Sequence, residues 1–184
     1  MLKRRLEYGT SEGALYRLHP ENKKVLPVPV GPALAFAGLC ASIISLSFFP
    51  LLLCLACLVF EVGSKALRTG RMGIPILLRK VAFSVVRTYL SFFYFASFHL
   101  VRYYLVAILL VGCAFRTLWP LALFFFFLSS AVDYETKRPV LFYPTFLYLY
   151  VLEHFFYQTG VFLGCLKART FGSYRTRLSM RLGR

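Results

Sequence analysis

Between Val25 and Phe60 the chain carries no charged residue, and a stretch this long and apolar is suited to hydrocarbon rather than water. One helix needs roughly 20 apolar residues to cross the hydrocarbon of a bilayer, so the run is long enough for two short crossings. Pro50 lies near its middle, after Ser42, Ser45 and Ser47. Proline lacks a backbone donor and disfavours helix at the preceding residue. A tight turn is therefore expected near Phe49 and Pro50, with residues 25–60 forming a first hairpin.

The charges fall outside such runs, in three basic zones. Lys3, Arg4, Arg5, Arg17, Lys23 and Lys24 precede the first run; Lys65, Arg68, Arg71, Arg79 and Lys80 follow it; Lys167, Arg169, Arg175, Arg177, Arg181 and Arg184 close the chain. Basic residues accumulate on the cytoplasmic side of membrane helices, and two basic flanks require an even number of crossings between them. The chain reads as an all-α integral membrane protein of a bacterial-type cytoplasmic (inner) membrane. About four transmembrane helices in two hairpins are expected, plus interfacial amphipathic helices, with both termini cytoplasmic. Composition agrees: 59% of residues are hydrophobic and 16% charged, against about half and a quarter in soluble domains. The net charge of +15 then reads as topology and headgroup contact; the lipid bilayer is the expected partner and nucleic acid is not. A cleaved signal peptide is not expected, because the first apolar run comes too late and is too long.

Within this frame residues 1–24 form a basic cytoplasmic segment, with Gly9 as a turn, Thr10 or Ser11 as a helix N-cap, and a short helix ending before Pro20. Residues 25–166 form one membrane domain. Residues 61–80 interleave charges with Ile74, Ile76, Leu77 and Leu78, which suits a segment on the membrane surface. Its Lys65, Arg68, Arg71, Arg79 and Lys80 would meet lipid headgroups; a solvated loop over 61–73 is the alternative. Residues 81–132 are apolar helices: 81–101, with Arg87 inside it, is a third crossing or an in-plane helix. Arg116 would cost at least about 3 kcal/mol at the bilayer centre, which places it near an interface. A turn over residues 116–120, anchored by Trp119, then makes 103–115 and 121–132 a second short hairpin; one tilted helix over 103–123 is the alternative. Residues 139–166 form an aromatic membrane or interfacial helix, and 167–184 a basic cytoplasmic tail. No internal repeat is visible.

Few residues offer chemistry. Glu153 and His154 are ionisable groups in an apolar stretch, a functional signal in membranes. As neighbours they point about 100° apart on a helix, so structural pairing of Glu153 with Arg87, Arg102 or Arg116 competes with a functional role. Gly160 and Gly164 form the G-x-x-x-G spacing that lets helices approach closely, within the chain or against a partner. The 20 phenylalanines and 12 tyrosines read as membrane contacts. Of the five cysteines, Cys54 and Cys57 form a lone C-x-x-C without a second pair or nearby histidines, which reads as small apolar filler. There is no phosphate-binding glycine loop, hydrolase triad, metal-ligand cluster or D-x-D pair among the seven acids. No catalytic residue, metal or cofactor is therefore assigned to this chain.

Two stretches resemble a known family: Arg4 to Ser11 (RRLEYGTS), continued by Leu15 to Pro20 (LYRLHP), and Leu152 to Thr170 (LEHFFYQTGVFLGCLKART). Both are similar to the membrane-embedded end of family 2 glycosyltransferases, in particular the mycofactocin-system type. There an R-R-x-x-Y-G-T-S stretch follows the catalytic domain, and an A-Y-x-x-G-V-x-x-G-x-x-R-x-R-T-like stretch lies near the C terminus. The likeness covers the whole chain in order and hydropathy, and these two stretches are its specific part. It implies a cytoplasmic GT-A domain that transfers a sugar from a nucleotide donor, lying upstream of Met1 or on a separate chain. It further implies that Arg4, Arg5, Tyr8, Gly9, Thr10 and Ser11 adjoin the active site, on the side of the donor diphosphate or the acceptor. Arginine forks and a Gly-Thr-Ser turn suit such an anion.

Two functions of different class are thus expected. The first is the membrane-anchoring portion of a glycosyltransferase whose catalytic domain is its protein partner. The second is a noncatalytic subunit of a larger membrane complex, packed through Gly160, Gly164 and its aromatic surfaces. A transporter fits less well, for want of intramembrane polar groups and a repeat.

Overall fold

The computed structural model describes all residues except 20, 22–23, 74–76 and 182–184. The expectations for Pro20, Lys23, Ile74, Ile76 and Arg184 lie outside the described residues. Six helices dominate: α1 (Leu2–Leu18), α2 (Val30–Ser45), α3 (Phe49–Arg71), α4 (Leu78–Ala114), α5 (Trp119–Lys137) and α6 (Tyr143–Ala168). Two five-residue strands, β1 (Val25–Pro29) and β2 (Arg177–Arg181), pair as a two-stranded ribbon. The chain is an all-α membrane protein: α3, α4 and the stretch Arg116–Lys137 are long and apolar enough to cross a bilayer. The apolar α2 has 16 residues, about 24 Å at 1.5 Å per residue, and falls short of a hydrocarbon core of about 30 Å.

Prolines mark the helix starts. Pro50, Pro120 and Pro144 each stand in a first turn, where the missing N–H would have no helical partner. The turns expected near Pro50 and over residues 116–120 are therefore where the sequence puts them, the second as a 3-10 turn over Arg116–Leu118. Arg116 is exposed there. α2 stops at Leu46, whose φ of 50° is left-handed and whose N–H caps the Ser42 carbonyl. A side chain in that region costs about 1–2 kcal/mol, and Leu46 is exposed, so little packing offsets it. Leu46→Gly is expected to stabilise the protein by about 0.5–1 kcal/mol, read as a rise in thermal midpoint in detergent.

Three segments differ from expectation. Gly9 is not a turn and Thr10 and Ser11 are not N-caps: all three lie inside α1, where the Thr10 hydroxyl donates to the Leu6 carbonyl at 2.9 Å and that of Ser11 to Tyr8 at 2.9 Å. Residues 61–71, expected as a loop or surface segment, continue α3, because Val62, Ala66 and Leu67 sustain the helix between the charges. The separate elements expected at 81–101 and 103–115 are a single helix of 37 residues. Its length of about 55 Å exceeds the hydrocarbon thickness, so part of α4 must stand in an interface.

The chain forms two compact units, dividing within α4 between Phe95 and Ala96. In the unit holding residues 27–95, α2 and α3 pack together and against the first part of α4; where a hairpin of two crossings is expected over 25–60, residues 25–29 are strand, α2 is short and α3 runs on to Arg71. Ala35, Val85 and Tyr89 are its buried core, flanked by Cys54, Leu58, Val62 and Phe93. The Tyr89 hydroxyl donates to Glu61 at 2.8 Å, and Lys65 pairs with the same carboxylate at 2.7 Å. Gly31 makes room for that pair, since a Cβ there would meet both Glu61 and the Tyr89 hydroxyl. No residue of α3 is buried, which suits a lipid-facing helix. Lys65, Arg68, Arg71, Arg79 and Lys80 are all exposed. Cys54 donates to the Ala35 and Pro50 carbonyls at 3.1 Å and is, like Cys57, a free thiol.

Candidate functional site

The other unit holds residues 1–26 and 96–179 and contains most of the buried polar groups. Its frame is the pair α1 and α6, which share by far the most extensive helix–helix contact. Gly9 and Gly13 on α1 face Gly160 and Gly164 on α6, so that two G-x-x-x-G spacings meet. A Cβ on Gly9 would fall on the Tyr157 carbonyl and one on Gly13 on that of Gly164; reciprocally, Gly160 is closed by the Leu6 carbonyl and Gly164 by that of Thr10. The register advances together along both helices, so they run parallel at backbone contact distance, as paired small-residue faces allow.

The zipper sorts the residues of the first resembling stretch. Gly9 is buried against α6, and Arg5 and Thr10 are half-buried, while Arg4, Tyr8 and Ser11 are exposed. The exposed three recur at i, i+4 and i+7, one outward stripe of a helix. The structure therefore does not gather all six into one site.

Below the zipper lies a polar cluster. The Glu12 carboxylate accepts from the hydroxyls of Tyr103 at 2.9 Å and Tyr157 at 2.6 Å and pairs with Lys24. Lys24 also donates to the Tyr103 hydroxyl and the Ser173 carbonyl, each at 2.9 Å, with its ammonium 4.2 Å from the centre of the Tyr103 ring. Gln158 binds the backbone of α4, accepting from the Val106 N–H at 3.1 Å and donating to the Tyr103 carbonyl at 2.6 Å. The segment after α6 closes this cluster: Ser173 is buried, and the Tyr174 carbonyl accepts from Tyr104 at 2.9 Å. Burial pushes the Tyr174 phenol up to about 12, so it stays protonated at ordinary pH.

Glu153 and His154 part as adjacent helical residues must. Glu153 pairs with Arg5 at 2.6 Å, a partner not among Arg87, Arg102 and Arg116. His154 is buried in an aromatic column at i, i+4 spacing: Phe146 meets Tyr150 at 5.7 Å, Tyr150 meets His154 at 4.3 Å, and Phe98 of α4 closes on His154 at 5.7 Å. Yet both line one recess of about 520 Å³, together with Arg5, Arg102, Asp133 and Lys137. Asp133 and Lys137 pair along α5 at 2.8 Å. Arg102 lies over the rings of Tyr157, at 4.0 Å, and Phe98, at 5.7 Å, a favourable seat for a cation.

Sequence reading missed Glu12, Tyr103, Tyr157, Asp133 and Lys137. The signal was present in the Gly9 to Gly13 spacing, which matches Gly160 to Gly164 and marks the face of α1 from which Glu12 projects. Among the described residues no group of three His, Cys, Asp or Glu side chains is placed to hold a metal ion. No protein-family model, no curated protein and no solved structure matches the chain.

Proposed function

We propose that this chain is the membrane-anchoring portion of a family 2 glycosyltransferase, acting with a GT-A catalytic domain to transfer a sugar from a nucleotide-sugar. The observation that supports this reading is the union of the two resembling stretches. Far apart in the sequence, they are α1 and α6, locked at backbone distance, and Arg5 of the first shares a recess with Glu153 and His154 of the second. A shared ancestry of the two stretches would preserve such a joint unit. Their packing also brings the two basic ends together through Glu12, Lys24 and Ser173, as a common cytoplasmic side requires.

The competing subunit reading loses one of its two supports, because the Gly160 and Gly164 face is already covered by α1, and keeps the exposed aromatic surfaces. The test is the coding sequence around the chain followed by reconstitution. The expected result is a GT-A domain encoded upstream or in a neighbouring gene, which together with this chain in vesicles moves labelled sugar from a nucleotide-sugar to a membrane-extracted acceptor. Absence of such a domain, with stable co-purification of subunits unrelated to glycosyl transfer, would overturn the proposal.

A further inference from the structure

We infer that the recess between α1, α4, α5 and α6 binds the phosphate group of an amphiphilic ligand, with Arg102 and Lys137 as its principal cations. The inference stands on the recess alone and holds whether or not a catalytic domain joins this chain.

Three cations, Arg5, Arg102 and Lys137, line the recess against two carboxylates, Asp133 and Glu153. Glu153 is taken by Arg5 and Asp133 by Lys137, and Glu12 is engaged by Lys24 and two tyrosines. Among the described residues Arg102 makes no ion pair; a hydrogen bond with the Tyr157 hydroxyl, the attraction of the nearby Glu12 carboxylate and the Tyr157 and Phe98 rings support it. The guanidinium is thus kept charged in a partly dehydrated cleft with no carboxylate in contact, and the N–H donors of its fork are open to an incoming anion. A phosphate suits the donors better than a carboxylate does, since its oxygens can accept from the Arg102 fork and the mobile Lys137 ammonium together. Lys137 is 62% exposed at its side chain, so its ammonium, which carries three donors, can reach the ligand with one N–H while another stays on Asp133. The recess is roomier than a phosphate needs, and Phe98, Phe146 and Leu149 supply an apolar wall against which a hydrocarbon chain can lie. The exposed basic residues of α3 and α4 offer charge without such a wall.

The purified full chain in neutral detergent is titrated with short-chain phosphatidic acid, short-chain phosphatidylcholine and inorganic phosphate, in about 0.3 M salt so that exposed charges are screened. Binding is read by thermal stabilisation and calorimetry. Saturable binding of phosphatidic acid is expected, weakened about tenfold or more by Arg102→Gln and by Lys137→Gln but not by Lys65→Ala. Leu149→Trp, which fills the recess and keeps every charge, should abolish it. Inorganic phosphate that competes at similar affinity supports the anion site and assigns it to free phosphates; no competition, with phosphatidic acid bound, assigns it to lipid. Should Arg102→Gln fail to fold, Lys137→Gln and Leu149→Trp decide. Wild-type affinity in both of these variants, or no saturable binding of either phosphate by the parent chain, overturns the inference.

Discussion

Replacing Gly164 by valine is expected to undock α1 from α6 and to destabilise the protein by about 3 kcal/mol, the upper part of the usual range for overpacking. The obstacle is backbone. A Cβ at Gly164 would run into the Thr10 carbonyl, and one at Gly13 into the carbonyl of Gly164 itself, so no rotamer change can relieve the clash and the two axes must separate. Valine is a better helix former than glycine, so any loss measured understates the packing cost. Separation has a local reporter in Cys165, which is 0% exposed next to Gly164. Its thiol should resist maleimide in the parent protein and react in Gly164→Val and in Gly13→Val, in step with a lower thermal midpoint. If both variants keep Cys165 protected and the midpoint unchanged, α1 does not rest on α6 through these glycines. Gly63, where a Cβ would meet nothing within 4 Å, provides the control: Gly63→Ala should be neutral or slightly stabilising.

How much of this was legible in the sequence follows from what sequence patterns encode. The turns at Pro50 and Pro120 were, because proline acts on its own backbone and needs no partner. Helices in the apolar runs were too, since lipid leaves few alternatives. The continuity of α4 was hidden by Arg102: a guanidinium in an apolar run argues for a break on desolvation grounds, yet the Tyr157 and Phe98 faces shelter it. The end of α1 before Pro20 was legible, and its first turns were hidden by their polarity. G-x-x-x-G is informative in apolar helices, and in a polar helix the same spacing passes as turn chemistry. The partner of Glu153 was beyond reach, because Arg5 and Glu153 meet only through the tertiary zipper. Helical periodicity relates neighbours along one helix and carries no information on such pairings. The recess therefore could not be read, although Arg5, Glu153 and His154 were each singled out separately.

The second large effect is expected at Glu12, whose truncation to alanine should cost about 3 kcal/mol. That is the low end of the range for breaking a buried charge pair. The low end applies because the Lys24 side chain, at 32% exposed, keeps some water, whereas Glu12 itself is 17% exposed. Alanine would leave the Lys24 ammonium without its carboxylate and the Tyr103 and Tyr157 hydroxyls, 3.4 Å apart, without their charged acceptor. It would also loosen α1, α4 and α6 at once, since the carboxylate is the point where all three meet. Glu12→Gln keeps an acceptor for one tyrosine and loses the charge, so about half the effect is expected. The exposed pair of Lys65 with Glu61 sets the contrast: as an i, i+4 surface pair it should contribute only about 0.3–0.5 kcal/mol, and Lys65→Ala should be nearly silent. Denaturant titration in a fixed detergent measures all three. The polar cluster is structural if the order is Glu12→Ala, then Glu12→Gln, then Lys65→Ala, with a coupling between Glu12 and Lys24 above about 1 kcal/mol in a double-mutant cycle. If Glu12→Ala costs no more than Lys65→Ala, Glu12 does not hold α1 to the tyrosines, and the glycine zipper alone positions Arg5 at the recess.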